Sequence, residues 1–331
     1  MIKSGFVFRL ILVMWISAPG QAVALDVEEY PALVELVDIM TEEDGYPRDQ
    51  LLRVLSGATV DQKTIDLMNK QYEALPWYRY RKIFINQDRI DRGVEFWKVN
   101  KPILDAAEKE YGVPPAVIVA LIGVETHYGT RMGDRRVLDS LVTLTADFPR
   151  RSKFFSAELR TFLNTTREEN IPPESVFGSY AGAIGIPQFM PTSYRAYSVD
   201  FNGNGRRDLV NEMEDAIGSV ANYLSVHGWT SGQGIFATVD SDLTEQARSQ
   251  LSKRAKPKIY TQELLAMNVD FDARDASKKV ALLSLTQEQG KSYFVGFRNF
   301  YAITRYNPSV NYAMAVTELS LQIKARYQQQ I

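Results

Sequence analysis

The 331-residue chain carries 38 basic and 40 acidic residues, and this near-neutral balance gives no reason to expect a nucleic-acid partner. It contains no cysteine, which excludes thiol nucleophiles and thiolate zinc sites, and its two histidines are too few for a histidine-rich metal site. Without disulfides the fold depends on a hydrophobic core, which a chain of this length can supply.

The first 24 residues have the pattern of a secretory signal peptide. Lys3 and Arg9 precede the apolar stretch LILVMWI, and small residues ending at Ala24 supply an A-x-A cleavage site. The stretch is too short to span a bilayer, and no later stretch is apolar enough to do so. We therefore expect export with cleavage after Ala24, no membrane span and, without cysteine, no lipid anchor. The alternative is a buried N-terminal helix.

Residues 26–110 are predicted to be helical. Apolar residues recur at helical spacing in VEEYPALVELVDIM, RDQLLRVLSG and RGVEFWKVNKPILDAAEKEYG. The aromatic cluster LPWYRYRKIFI at 75–85 is expected to interrupt these helices. Pro114 and Pro115 then predict a new helix, because proline is tolerated in a first helical turn.

A carboxylate, Glu125, ends the apolar run VPPAVIVALIGVE and shares a helical face with Ile118 and Ile122. Burial of an unpaired carboxyl group raises its pKa. An acid that stays protonated near neutral pH suits the protonation of a leaving group. Glu125 is therefore a candidate general acid, with an ordinary helix-end residue as the alternative. His127, two residues further on, is expected to point elsewhere on a continuing helix.

The rest of the chain is predicted to contain more helix and one β-containing insertion. Helices are predicted at 137–147, 152–168, 213–227 and 299–328. The segment GSYAGAIGIPQFMP, 178–191, is rich in glycine and alanine, which lets backbone and ligand approach closely. Between 231 and 298, IFATVDSD, KVALLSL and KSYFVGF predict short strands, with one helix at TEQARSQLSK. The expected fold class is mainly α, α+β overall.

The segment DFNGNGRRD, 200–208, matches the opening of an EF-hand calcium loop. Its candidate ligands are Asp200, Asn202, Asn204 and the backbone carbonyl of Arg206, with a glycine at position 6. Position 12 is Asn211 instead of the usual bidentate glutamate, and amides in place of carboxylates predict weak affinity. A bound calcium ion would be structural. The alternative is a turn without metal.

Four segments occur in an order that resembles the lytic murein transglycosylase B family, glycoside hydrolase family 103. They are ETHYG (125–129), FPRRS (148–152), GSYAGAIGIPQFMP and RYNPSVNYA (305–313). The resemblance covers nearly all of the chain after the signal peptide. It implies a lysozyme-like helical core, peptidoglycan glycan strands as the partner, a periplasmic location and a single catalytic glutamate at Glu125.

The same motif matching implies a set of substrate-binding residues. Ser179, Gln188 and Phe189 resemble groove residues that hold the sugar and its N-acetyl group. Arg150 and Arg151 resemble binders of the glycan or its peptide stem. The remaining lining residues are Tyr80, Tyr223, Tyr306, Asn307 and Tyr312. Each aromatic residue has core packing as its alternative, and the adjacent arginines have a solvated face.

The resemblance also implies the end of the calcium loop and the domain boundaries. Family members have a lengthened loop that ends in an aspartate before AIGSVANY, which here is Asp215, one residue further along. The expected division is a signal peptide (1–24), an N-terminal helical domain joined by the C-terminal helices (25–104 and 299–331), a catalytic core with the loop 200–215 (105–230) and a small β-containing domain (231–298).

The resemblance implies a reaction that requires no cofactor. Glu125 protonates the glycosidic oxygen between N-acetylmuramic acid and N-acetylglucosamine, and the N-acetyl oxygen stabilises the cationic centre. Glu125 then takes the proton of the C6 hydroxyl, which closes onto C1 to give 1,6-anhydro-N-acetylmuramic acid. The alternatives are a hydrolytic muramidase on the same scaffold and a non-catalytic protein that binds peptidoglycan or calcium.

Overall fold

The structure, a computed structural model, describes residues 25–69, 75–273 and 278–330, most of which lie in helices. The predicted signal peptide, 1–24, lies outside the described residues. The helices are α1 (Pro31–Glu42), α2 (Arg48–Ser56), α3 (Gln62–Met68), α4 (Trp77–Phe84), α5 (Gln87–Val99), α6 (Lys101–Tyr111), α7 (Pro115–Thr126), α8 (Val137–Asp147), α9 (Ser152–Glu168), α10 (Pro191–Tyr197), α11 (Met213–Val226), α12 (Glu245–Ser249), α13 (Thr261–Ala266), α14 (Arg298–Tyr306) and α15 (Val310–Gln328).

Helix α7 is the centre of the main core. Every residue of this helix except Glu125 is buried, as expected for a helix that is apolar all round. It packs against α5, α6, α11 and α15. The helix begins at Pro115, as the two prolines predict, and ends at Thr126 because His127 adopts a left-handed conformation with φ of 51°.

The prediction that residues 75–85 interrupt the helices is wrong. Trp77–Phe84 form α4, which packs against α15. Trp77 and Tyr80 are one helical turn apart and both are buried, so the aromatic side chains form the apolar face of this helix. Pro76, in an extended conformation, lies at its N-terminus.

Two small antiparallel sheets complete the fold. The first pairs β1 (Arg135–Arg136) with β2 (Phe177–Gly178). The second has the strand order β3-β6-β5-β4. Its strands are β3 (Phe236–Thr238), β4 (Ile259–Tyr260), β5 (Lys279–Thr286) and β6 (Lys291–Gly296). The three predicted β-rich runs are therefore confirmed as strands, whereas the predicted helix at TEQARSQLSK is limited to Glu245–Ser249.

The larger sheet contributes its two faces to two different clusters of buried residues. Ala281, Leu283 and Phe294 pack into the main core. Leu282 and Val295 pack into a smaller cluster with residues of α12 and α13. This alternation follows from strand geometry, because successive side chains point to opposite faces. The division of the chain into four segments stays a prediction.

Candidate active site

Glu125 lies in the last turn of α7, at the point where this buried helix reaches the surface. Its side chain is half-buried, and its Oε1 accepts a short hydrogen bond from the hydroxyl of Tyr312 in the first turn of α15. Burial and the negative charge of Glu125 raise the pKa of Tyr312 well above its usual value. The phenol therefore stays protonated and acts as a fixed donor to the carboxylate.

Two further tyrosines stand beside Glu125 on a common aromatic support. The rings of Tyr223 and Tyr306 lie 4.7 Å apart between centroids, and the ring of Phe189 lies 5.4 and 5.7 Å from them. Tyr306 donates to the carbonyl of Pro187 (2.5 Å). Burial is the main cause that raises the pKa of both tyrosines, and the charge of Glu125 adds to it. Both phenols are therefore neutral donors.

Phe189 differs from the role that the resemblance implies for it. Its side chain is only 2% exposed and packs against the two tyrosine rings, and its backbone pairs with Ile184. Phe189 therefore packs against both tyrosine rings. Its N–H is used in a bond to Ile184, so a backbone contact with a sugar would come from the second lone pair of its carbonyl. Tyr80, also predicted as lining, is buried on α4 and stacks with Trp77.

The glycine-rich segment 178–191 folds into a loop that fixes the hydroxyl of Ser179. Its Oγ accepts hydrogen bonds from the backbone N–H groups of Ala183 (3.0 Å) and Ala181 (3.3 Å). Two accepted bonds occupy both lone pairs, so the hydroxyl hydrogen is left to donate. Gly178 permits this turn, because a Cβ there would lie 2.1 Å from the carbonyl oxygen of Ala183.

Gln188 is held in one orientation at the end of the same loop. It has a left-handed backbone, with φ of 51°, and its Nε2 donates to the carbonyls of Met132 (3.0 Å) and Gly185 (2.9 Å). Both amide hydrogens are thereby used, and Oε1 is the group with which Gln188 can accept a bond. Thr126 attaches this loop to α7, since its hydroxyl donates to the carbonyl of Ile186 (2.9 Å).

Three other predicted binding residues, Arg150, Arg151 and Asn307, each contact a nearby residue of the protein. Arg150 and Arg151 are exposed at the corner between α8 and α9. Arg150 donates to Asn69 (2.6 Å), and the guanidinium of Arg151 lies 4.2 Å from the ring centroid of Phe154. Asn307, between α14 and α15, accepts a bond from the N–H of Ser309 (3.1 Å).

The loop 200–215 is organised by two aspartates that bind its backbone. Asp200 accepts hydrogen bonds from the N–H groups of Gly203 (2.8 Å) and Gly205 (2.7 Å). Asp215 is fully buried in the first turn of α11 and accepts from the N–H groups of Phe201 (2.8 Å) and Asp208 (2.8 Å). Asp215, the expected last ligand, therefore fastens the loop to the helix.

A carboxylate that the sequence reasoning missed faces the predicted ligands. Glu212 accepts hydrogen bonds from the side-chain amides of Asn202 (2.8 Å) and Asn204 (2.9 Å) and from Arg206 (3.2 Å). The available signal was its position, one residue beyond Asn211. No group of three or more acidic or histidine side chains within the described residues is arranged to hold a metal ion. The side-chain oxygens of Asn202 and Asn204 accept hydrogen bonds from the backbone N–H groups of Asn204 (3.0 Å) and Arg206 (3.0 Å).

Comparison with known proteins decides the family. Residues 29–321 match the family model described as the transglycosylase SLT domain. The chain belongs to this family. Within the described residues, no helix has the length and apolarity needed to cross a membrane.

Several known proteins are similar to this SLT-domain protein in sequence and in fold. It is 38% identical to membrane-bound lytic murein transglycosylase B of Escherichia coli K12, over 89% of this chain and 83% of that one. It is 42% identical to soluble lytic transglycosylase SltB1 of Pseudomonas aeruginosa, with a TM-score of 0.82 over 89% of this chain and 99% of that one. Slt35 of E. coli, solved with calcium, is 39% identical, with a TM-score of 0.83 over 92% and 96% of the two chains. The predicted family, the lysozyme-like fold and the lytic transglycosylase activity on peptidoglycan are thereby confirmed.

Arg89 of this lytic transglycosylase is a second residue that the sequence reasoning missed. Its side chain is buried on α5, and its Nη1 donates a short hydrogen bond to the carbonyl of Gly123 in the last turn of α7. The hydroxyl of Tyr128 donates to the backbone carbonyl of Arg89 (2.6 Å). A cation at the C-terminus of a helix stabilises its unpaired carbonyls. Arg89 thus holds the turn that carries Glu125.

His127, by contrast, is turned towards α5. Its Nε2 lies 3.2 Å from a carboxylate oxygen of Asp88. Burial and the nearby charge of Arg89 lower its pKa. His127 therefore points away from Glu125, as expected. The reason differs from the expected one, because the helix ends at Thr126 and does not continue through His127.

We expect Arg89→Met to lower kcat about 10-fold while KM stays within about 2-fold, since small misplacement of a catalytic group affects the chemical step more than binding. Methionine keeps the packing volume but leaves the carbonyl of Gly123 without its charged donor. Steady-state kinetics on purified peptidoglycan measures both constants. Arg92→Met is the control, because Arg92 is exposed and pairs with Asp88. An unchanged kcat in Arg89→Met would rule out the positioning role.

Proposed function

We propose that Glu125 is the single acid and base of this transglycosylase, and that the reaction ends in 1,6-anhydro-N-acetylmuramic acid. The hydrogen bond from the buried phenol of Tyr312 to Glu125 is the observation that supports this most. It stabilises the carboxylate that forms when Glu125 gives its proton to the glycosidic oxygen. The same carboxylate then takes the proton of the C6 hydroxyl as that oxygen bonds to C1, so the proton count closes and no water is consumed.

The groups around Glu125 favour an intramolecular acceptor. Most glycosidases place a second carboxylate near the acid to act as nucleophile or to activate water. Three phenols, those of Tyr223, Tyr306 and Tyr312, lie beside Glu125. Neutral phenols can orient a sugar but do not activate water at neutral pH, because burial raises their pKa further. Digested sacculi test this, since a 1,6-anhydro end resists borohydride and a hydrolytic product does not.

Ser179 and Gln188 have complementary roles in this proposal. Ser179 can only donate, because its lone pairs are occupied, so it suits the carbonyl oxygen of an N-acetyl group. Gln188 presents a fixed amide oxygen, which suits a sugar hydroxyl or an N–H group. The further substrate contacts that we propose are those of Tyr80, Tyr223, Tyr306, Asn307 and Tyr312, the backbone of Phe189, and Arg150 and Arg151 further along the glycan or its peptide stem.

We also propose that the loop 200–215 binds a structural calcium ion. The side chains of Asp200, Asn202 and Asn204 and the carbonyl of Arg206 would supply ligands, and Glu212 would supply the second carboxylate in place of Asp215. The contacts of both asparagines with Glu212 support this, because rotation of the two amides would turn their oxygens toward the same point. The calcium complex of Slt35 supports the same ion.

Calcium is expected to raise Tm by several degrees, because an ion that binds only the folded chain stabilises it by mass action. Asp200→Ala and Glu212→Gln should each remove this rise. Asn211→Ala, at the nominal position 12, should retain it, because Asn211 bonds to Asp208 instead of facing Glu212. Calorimetry with calcium and with a chelator measures the effect. Identical melting curves in the two conditions would favour a turn without metal.

We propose a periplasmic location, with residues 1–24 as the signal that directs export. Peptidoglycan, the substrate of this family, lies outside the inner membrane, which agrees with this pattern. The four segments predicted above remain our proposal for the domain boundaries, with Glu125 in the segment 105–230.

A further inference from the structure

A second cleft, separate from the residues around Glu125, lies beside the larger sheet. Its volume is about 630 Å³, within the range of sites for small ligands. Its lining includes Thr230, the residues 232–234, Lys256, Lys279, Phe297 with Arg298, and Tyr301. None of the residues proposed above to bind the glycan lines it.

Helix α14 connects this cleft to the catalytic site. Arg298 and Tyr301, in its first turn and a half, line the cleft. At its other end, Tyr306 stands beside Glu125, and the carbonyl of Arg305 accepts a hydrogen bond from Tyr223 (2.6 Å). A helix of nine residues is about 13 Å long, so the cleft and the catalytic acid are about one such length apart.

The cleft combines positive charge with aromatic walls. Lys256, Lys279 and Arg298 are exposed, and within the described ranges none of them forms an ion pair with a carboxylate. The aromatic lining is formed by Phe297 and Tyr301, and Arg298 lies 5.7 Å from the ring centroid of Tyr301. The whole chain has a net charge of −2, so this local excess of positive charge departs from its average.

We propose that this cleft binds the peptide stem of the strand whose glycan lies at Glu125. The proposal rests on peptidoglycan being the substrate. Stem peptides carry free carboxylates and small apolar side chains, which match unpaired cations and aromatic walls. An extended peptide spans about 3.3 Å per residue, so about four residues cover the length of α14. The cleft would then select strands that carry peptides over bare glycan.

Binding to the inactive Glu125→Gln protein tests this without turnover. The probes are a disaccharide-tetrapeptide, the same disaccharide without peptide, and the tetrapeptide with its carboxylates amidated. We expect the first to bind about 10-fold more tightly than the second, with the difference shrinking at high salt. Lys256→Ala with Lys279→Ala should remove that difference and leave the affinity of the bare disaccharide unchanged. Lys109→Ala, an exposed lysine on α6, is the matched control.

The free tetrapeptide separates failure of this proposal from failure of the proposed function. Isothermal titration of wild-type protein should show weak binding of the free tetrapeptide that the double lysine variant and amidation both abolish. Retained binding in the double variant, or equal binding of the amidated peptide, would overturn the cleft proposal even if Glu125 is the catalytic acid. An absence of any preference for the peptide-bearing disaccharide would overturn it as well. A failure of Glu125 as the acid would appear instead in turnover, with the tetrapeptide result unaffected.

Discussion

Glu125→Gln is expected to lower the rate of sacculus digestion by about 10³-fold or more, because we propose that this residue serves as both acid and base. The amide retains the shape of the side chain but can neither deliver nor accept the proton. The hydroxyl of Tyr312 still has an oxygen to which it can donate, so Tm should stay close to the wild-type value. The measurement is the initial rate of turbidity loss of purified sacculi.

Two further variants test whether the loss of activity is specific to the carboxyl group of Glu125. Glu95→Gln, on the exposed face of α5, should digest sacculi at the wild-type rate. Tyr312→Phe should lie between the two, about 10-fold below wild type, since it removes one hydrogen bond to the carboxylate and keeps the ring. Near-wild-type turnover by Glu125→Gln, with its fold verified by circular dichroism, would exclude Glu125 as the acid.

Gly178→Ala is expected to destabilise the glycine-rich loop strongly. Its Cβ would lie 2.1 Å from the carbonyl oxygen of Ala183 and 2.9 Å from Val137, so the backbone around Ser179 must move. Overpacking of this kind lowers the free energy of unfolding by about 2–3 kcal/mol. We expect Tm to fall by about 5–10 °C. The rate should also fall about 10²-fold, because the hydroxyl of Ser179 is displaced.

Gly57→Ala is the matched control for this substitution. Gly57 is exposed at the end of α2 with φ of −79°, and the nearest atom to an added Cβ lies 3.4 Å away. This variant should keep its Tm within about 2 °C and its full activity. Equal Tm values for Gly178→Ala and Gly57→Ala would show that the loop tolerates the added methyl group.

The sequence predicted the elements whose limits are set locally. The predicted bounds 137–147 and 152–168 coincide with α8 and α9, and Pro115 marks the start of α7. Helical periodicity and proline at a first turn act within a few residues, so no tertiary information is needed. The same holds for β5 and β6, whose β-branched and aromatic runs lie in the larger sheet.

The parts that the sequence did not predict depend on contacts between distant segments. Phe189 pairs its backbone with Ile184, and its buried ring packs against Tyr223 and Tyr306, which lie on two helices. Arg89 reaches Gly123 only because α5 packs against α7. The motif match named candidate site residues but carried no information on which of their side chains are buried.

The loop 200–215 shows the same limit at shorter range. Counting from Asp200 gives Asn211 at position 12, and the family pattern gives Asp215 as the last ligand. The structure instead turns Glu212 toward Asn202 and Asn204, while Asp215 binds backbone N–H groups. Spacing alone does not fix the direction of a side chain where an irregular loop joins a helix.

The chemical identity of the new sugar end tests the central claim most directly. Sacculi digested by the wild-type protein are analysed by mass spectrometry before and after borohydride treatment. If Glu125 acts alone and the C6 hydroxyl is the acceptor, the fragments end in 1,6-anhydro-N-acetylmuramic acid and their masses do not change on reduction. Fragments heavier by one water that borohydride reduces would contradict the account, because they require hydrolysis and a further base that activates water.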